Sequence, residues 1–388
     1  MTFPFLFDVR RVAITKHLLA LYTNRLLQAL ASAMLGVFLP IFLFEQSSFN
    51  LHIVLFYFLL GFILYLVLNP IGARVMSAVG QRRSMLLSMP FFVAYFLSLY
   101  FFERNPAAFF FLTTTTITCW RILYWAPYHT DFAGFSDRAH RGRQLGLLES
   151  LYALFSIVVP VVGGFVISTF GFDALFIMLL FLVILSALPL ALIPETHERY
   201  DYGYAESFQK LFTKSNRRLL IAYAADGADS TVGLVVWPIF IYLALDGKYL
   251  DIGGVSSLIV VATIAVRLVT GRYTDSLPKR RLLRIGTLVY ATGWAAKAFV
   301  TTAFQIFAAG AYHNLGTVML RTTFDTMMYE QAADRGHYVD EYTVLREQAM
   351  NVGRILMLLF LMVLLSFLSL SMAFVVAALV SLFHSALR

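Results

Sequence analysis

The sequence predicts an all-α membrane protein of about twelve transmembrane helices, arranged as two pseudosymmetric six-helix bundles. Three observations carry that expectation. The 388 residues are 60% hydrophobic and only 13% charged, with a mean hydropathy of +0.75. Soluble domains run at roughly 25% charged, so this chain has too little polar surface for water and must be covered by lipid. Its apolar runs reach the length of about 20 residues that a helix needs to cross a bilayer, whereas a barrel would show short alternating segments. Finally, the chain repeats itself at an offset of 198 residues.

In chain order, the spans fall near 18–44, 51–73, 84–103, 107–129, 144–170, 172–193, 218–245, 252–273, 283–304, 305–328, 343–366 and 369–386. The stretch 283–328 divides at Thr301–Gln305. Ahead of the first span, MTFPFLFDVRR has its arginines after the apolar core instead of before it, so an interfacial anchor is expected there and not a cleavable signal. Basic residues gather in alternate loops: Arg74, Arg82 and Arg83, then Arg138, Arg141 and Arg143, then 199–218, 272–284, and Arg335 with Arg346. The opposite loops hold only Arg104 and Lys248. This bias places both termini in the cytoplasm of a plasma (inner) membrane, multi-pass. It also accounts for the net charge of +8 through anionic headgroups, with no nucleic-acid partner implied. Cys119 is the only cysteine, and no metal-ligand spacing is visible, so neither a disulfide, a metal nor a cofactor is expected.

The repeat divides the chain. Leu39–Phe44 aligns with Trp237–Tyr242, which superposes Pro40 on Pro238; Ala73 aligns with Gly271, Gly80 with Pro278 and Glu149 with Glu347. Arg121 and Arg321 align with a two-residue shift. An N-terminal bundle over 1–193, a cytoplasmic linker over 194–217 and a C-terminal bundle over 218–388 follow. Duplicated bundles can rock about a central site and expose it to each side in turn. The two prolines are expected to break the outer thirds of their spans. In the linker, Phe208, Leu211 and Phe212 share one helical face, consistent with a short helix lying on the inner surface or with a flexible tether.

The turn GRYTDSLPKRR (271–281) resembles the inner-turn signature of the major facilitator superfamily of secondary transporters. The matching residues are Gly271, Asp275, Pro278, Lys279 and Arg280. The first-half copy, ARVMSAVGQRR, keeps Gly80, Arg82 and Arg83 but has Ser77 in the place of the acid. The fifth span resembles half of the family's antiporter signature through Gly146, Pro160, Gly163 and Gly164, with Phe155 and Val159 where further glycines stand; PET at 194–196 also occurs in some members. The resemblance implies alternating-access transport, with the inner turns latching one state.

Ionisable groups at membrane depth are functional suspects, since each costs about 2.5–3.5 kcal/mol to insert. Asp226 and Asp229, spaced i, i+3 in YAADGADSTVGL, share a helical face. Two close carboxylates at low dielectric resist ionising together, which suits a proton carrier; structural pairing with arginines is the other reading. Arg121, Arg321, Arg354, Asn351, Tyr124 and Trp237 are the substrate-cavity candidates, with Asp325 one turn from Arg321 as its simplest ion-pair partner. Arg25, Arg267 and Lys297 lie near span ends and are read as snorkelling. Glu149 and Glu347 are gate candidates or helix caps. His129 and Asp131, in YHTDF, are the only pair that an enzyme reading could use, and their spacing fits no mechanism. The expected protein is therefore not an enzyme but a monomeric secondary transporter in membrane lipid. It moves a small solute, with protons as the candidate coupling ion and export as the suggested direction. The alternatives are a proton-independent organic-anion exchanger built on the embedded arginines, and a non-transporting homologue acting as receptor or scaffold.

Overall fold

A computed structural model of the protein describes residues 15–135, 141–197, 199–274, 279–333 and 339–386. It is almost wholly helical: α1 (Lys16–Gln46), α2 (Leu51–Val79), α3 (Gln81–Tyr100), α4 (Pro106–Phe135), α5 (Arg141–Ala187), α6 (Tyr204–Leu211), α7 (Arg217–Thr231), α8 (Trp237–Ala244), α9 (Tyr249–Thr274), α10 (Lys279–Lys297), α11 (Ala303–Ala333), α12 (Val339–Leu364) and α13 (Met372–Ser381). Among the described residues, seven helical stretches are long and apolar enough to cross a membrane. One of them, Leu151–Leu192, is a double length. Gly171, with φ +81°, interrupts it where the sequence separates its fifth and sixth spans.

Local chemistry sets the helix starts. Thr15 caps α1 by accepting from the Leu18 amide at 3.2 Å, and Asn50 caps α2 by accepting from His52 at 3.0 Å. Such caps satisfy amides that the first turn leaves without a partner. Within the N-terminal half, Phe92 stacks on Trp120 at 4.1 Å, and the column continues through Tyr124 and Tyr128. Tyr124 donates to Asn24 at 2.6 Å, and Asn24 donates to the Ser186 carbonyl at 2.6 Å, tying α4, α1 and α5 together.

The repeated prolines behave differently. Pro40 sits inside an unbroken α1, so the expected break there does not occur. Pro238 follows a π-helical turn, Val232–Val236, that separates α7 from α8. A proline removes one helical hydrogen bond and crowds the carbonyl of the turn before it; widening that turn relieves the crowding.

The two halves meet along α5 with α9, α2 with α12, and α1 with α8. A side chain at Gly164 would collide with the Tyr249 backbone, and one at Gly253 with the Pro160 carbonyl, so glycine lets α5 and α9 touch. At the end of the molecule away from the linker, Glu45 of α1 accepts from the hydroxyls of Tyr242 and Tyr249 (2.6 Å for Tyr242). There too, the imidazole Nε2 of His52 lies 3.1 Å from the Met362 carbonyl and 3.0 Å from the Ser366 hydroxyl. At the linker end, α6 lies on α2 and α12. Tyr204 donates to the Val67 carbonyl at 3.2 Å, and Gln348 donates to Ser207 at 3.3 Å. Leu211 is buried as expected, but Phe212 points outward, because α6 ends at Leu211 and the apolar face ends with it.

Candidate functional site

A cluster of polar groups is buried in the C-terminal half. The C-terminal cluster starts from Asp226 and Asp229 on α7. A side chain at Gly227 would run into the Met350 backbone and one at Gly353 into the Ala224 backbone, so α7 and α12 cross in contact beside the two acids. Arg321, from α11, grips both carboxylate oxygens of Asp226, with Nη1 at 3.0 Å from Oδ2. It is therefore engaged across helices; the side chain of Asp325, the partner suggested by spacing, lies outside the described residues. His384, from the short helix after α13, places Nε2 3.5 Å from Asp226 and 3.6 Å from Asp229. Its Nδ1 lies 2.6 Å from the Ser381 carbonyl, which orients the ring. Tyr290 donates to Asp229 at 3.3 Å. The three groups Asp226, Asp229 and His384 are near enough to share a metal ion. Arg321, however, already pairs with Asp226.

Next to this network lies a cavity of about 480 Å³ between the halves. Gly36, Val37, Ser156 and Pro160 contribute one wall; Trp237, Tyr290, Trp294, Lys297, His313 and Asn314 contribute the other. Of the six cavity candidates drawn from sequence, only Trp237 lines it. Tyr124 is packed in the aromatic column of the N-terminal half. Asn351 donates to the Glu347 carbonyl at 2.7 Å, and Arg354 lies 5.0 Å over the Phe62 ring with a 3.3 Å bond to Asn351. Arg121 is half-buried among Tyr57, Tyr65 and Tyr95 and, among the described residues, makes no ion pair.

Lys297 is the main residue that sequence reasoning misjudged. It does not snorkel: it is 4% exposed and sits over the rings of Trp237 (4.4 Å) and Trp294 (4.2 Å). The aromatic spacing WxxK in α10, with Trp237 opposite, was the only available signal. His384 and His313 were also missed, since isolated histidines in apolar runs usually just fill space. Arg267 is exposed, and Arg25 lies 4.7 Å over Trp125.

The inner turn of the first half shows how the missing acid is replaced. Ser77, in its place, accepts from the Tyr200 amide at 2.6 Å. Glu195, from the PET segment, comes over Gly80 instead and lies 3.6 Å from Arg83. Arg82 donates to the Ile193 carbonyl at 3.3 Å, and the Gln81 amide donates to that of Thr196 at 3.0 Å. Thr196 in turn donates to Asp131. In the second half, Asp275 and Pro278 lie outside the described residues, as do the side chains of Lys279 and Arg280; Gly271 is seen only as helical backbone. The side chain of Glu149 and the surroundings of Gly146 also lie outside them. Glu347 pairs with Arg346 at 2.9 Å. Gly163 packs against Phe38 and Met34, where a side chain would be crowded.

Comparison with known proteins agrees with this architecture. Two solved structures share the fold. A variant of the E. coli fucose:proton symporter superposes with a TM-score of 0.63 at 14% identity, covering 95% of this chain and 97% of that one. A D-xylose-proton symporter superposes with a TM-score of 0.69 at 14% identity, covering 94% and 96%. No curated protein sequence matched the chain. The sequence pattern of the Major Facilitator Superfamily matches residues 21–216, half of the chain, so this integral, multi-pass membrane protein belongs to the Major Facilitator Superfamily of transporters.

Proposed function

We propose that the protein is a proton-coupled secondary transporter that carries a small solute through the cavity between its halves. In this reading, bundles over 1–193 and 218–388, with twelve spans in all, rock about the cavity, and the linker end faces the cytoplasm of a plasma membrane. One chain suffices. The observation that carries the coupling is the position of Tyr290. Its hydroxyl holds Asp229, and its ring forms part of the cavity wall. A proton arriving on the Asp229–His384 pair changes what Tyr290 can donate to, and so changes the wall that a solute meets. Arg321 keeps Asp226 compensated, which leaves Asp229 as the acid whose charge can alternate. Both solved relatives named above are proton symporters by name, which supports coupling but favours neither import nor export here. The exchanger reading loses support because Arg321 is engaged by Asp226 and none of the three arginines lines the cavity.

The test is reconstitution into sealed vesicles holding a pH-sensitive dye, with protein-free vesicles as control. Gradients of sugars, amino acids, monocarboxylates and amines are imposed in turn. One class is expected to drive proton movement, and the Asp226→Asn, Asp229→Asn double variant to abolish it. Undiminished uphill transport by that variant would sink the coupling assignment.

A further inference from the structure

Among the described residues, the cavity wall holds one lysine with no acid paired to it. Lys297 is almost fully buried, lines the cavity and, among the described residues, makes no ion pair and no side-chain hydrogen bond. Two indole faces flank it, and they offset only part of the cost of taking an ammonium out of water. No aspartate or glutamate lines the cavity among the described residues. Asp229 acts on Lys297 through space, but its oxygens already face Tyr290 and His384. The nearest arginine of the network, Arg321, is neutralised by Asp226. A single lysine is therefore presented to whatever fills the space, and an anion there would hold it as the ammonium ion. Around it the wall is mostly apolar and aromatic (Val37, Ile259, Trp294), with Ser156, Ser230, Ser256, Asn314 and Thr317 as short polar groups. Asn314 is held by a 2.7 Å bond to Thr263, so its amide is fixed in place.

We infer that the solute is an organic anion of single charge with an apolar body, a monocarboxylate in its simplest form, and that Lys297 is its counter-charge. This rests on the cavity being the solute site, as proposed above. The volume suits a small molecule, near the lower part of the roughly 300–1,000 Å³ typical of ligand sites. Filling it with an anion completes the charge balance that the apo wall lacks. It also places the solute's negative charge on the same cation that feels Asp229, so that protonating Asp229 and binding the anion favour one another.

The experiment is direct binding to purified full-length protein in detergent, by thermal shift and calorimetry. The probes are propionate, hexanoate, phenylacetate and indole-3-acetate, each beside its matched amide and amine. At least one carboxylate is expected to raise the melting temperature where its amide and amine do not. Lys297→Met is expected to weaken that carboxylate's binding tenfold or more, and Lys297→Arg to retain most of it. The melting temperature without probe shows that each variant is folded; should Lys297→Met not fold, the probe series on the wild-type protein decides alone. The inference is overturned if no carboxylate protects better than its amide and amine, or if folded Lys297→Met binds the carboxylate unchanged. Its failure is separable from that of the transport reading. A sugar or amine moved with protons in vesicles would remove the anion and leave the transporter. Lys297-dependent carboxylate binding without proton movement would do the reverse.

Discussion

Arg321 closes a two-pronged ion pair on Asp226, joining α11 to α7 in the interior of the C-terminal half. Removing the guanidinium leaves a buried carboxylate with only His384 beside it. Breaking a buried pair costs about 3–5 kcal/mol, and the low end applies because the Arg321 side chain is 36% exposed. Arg321→Gln should therefore lower stability by about 3 kcal/mol. Adding Asp226→Asn should recover most of that loss. Thermal melts of the single and the double variant in detergent check both statements.

Gly353 and Gly227 set the distance at which α12 crosses α7. Gly353→Val would push backbone against backbone, an overpacking cost of about 3 kcal/mol or more. It should shift Asp226 and Asp229 away from His384 as well. Gly254, which has open space around it, is the control: Gly254→Ala should leave the melting temperature level or slightly higher.

Glu45 spans the two halves at the end opposite the linker, accepting from Tyr242 and Tyr249. Each hydrogen bond to a charged group is worth about 1.5 kcal/mol, so losing both is about 3 kcal/mol, a little over a hundredfold change in an equilibrium. Glu45→Ala should favour separation of this end accordingly. Spin labels at Ser48 and Ser369, in a Cys119→Ser background, should show a longer distance gaining population. An unchanged distance distribution would mean that the bridge does not hold this end shut.

Gly80 joins α2 to α3 at φ +93°, with the Glu195 carboxylate against its Cα. A side chain there meets both backbone strain and a collision. Gly80→Ala should cost about 1–3 kcal/mol, partly restored by Glu195→Ala. A double-mutant cycle measured by thermal denaturation gives the coupling; strictly additive losses would show that the two residues do not oppose each other.

The helical membrane class and the family were legible because their signals are one-dimensional: a bilayer demands length and apolarity, and both can be counted along the chain. What escaped was supplied from far away in sequence. Ser77 looked like a lost acid, yet Glu195 comes from beyond the sixth span to serve that turn. Lys297 looked like a span-end lysine because spacing alone does not reveal that Trp237, from another helix, closes over it. His384 lies at the far end of the chain from the N-terminal half and reaches Asp226 only once α13 has packed on α7 and α10. Even Asp226 and Asp229, singled out by their spacing, needed the structure to assign them different partners.

The π-helical turn at Val232–Val236 changes the phase of everything beyond it. Each residue of an α-helix advances about 100° around the axis, so one surplus residue in a widened turn re-aims the following segment by about that angle. Asp226 and Asp229 thereby face Arg321 and His384, while Trp237 faces the cavity and Tyr242 reaches Glu45, although all stand on one nearly continuous rod. The rod behaves as two cams on a common shaft, set at different angles. Deleting one residue from 232–236 would bring the cams into line, preserving the acids' surroundings while turning the aromatic end away from its partners.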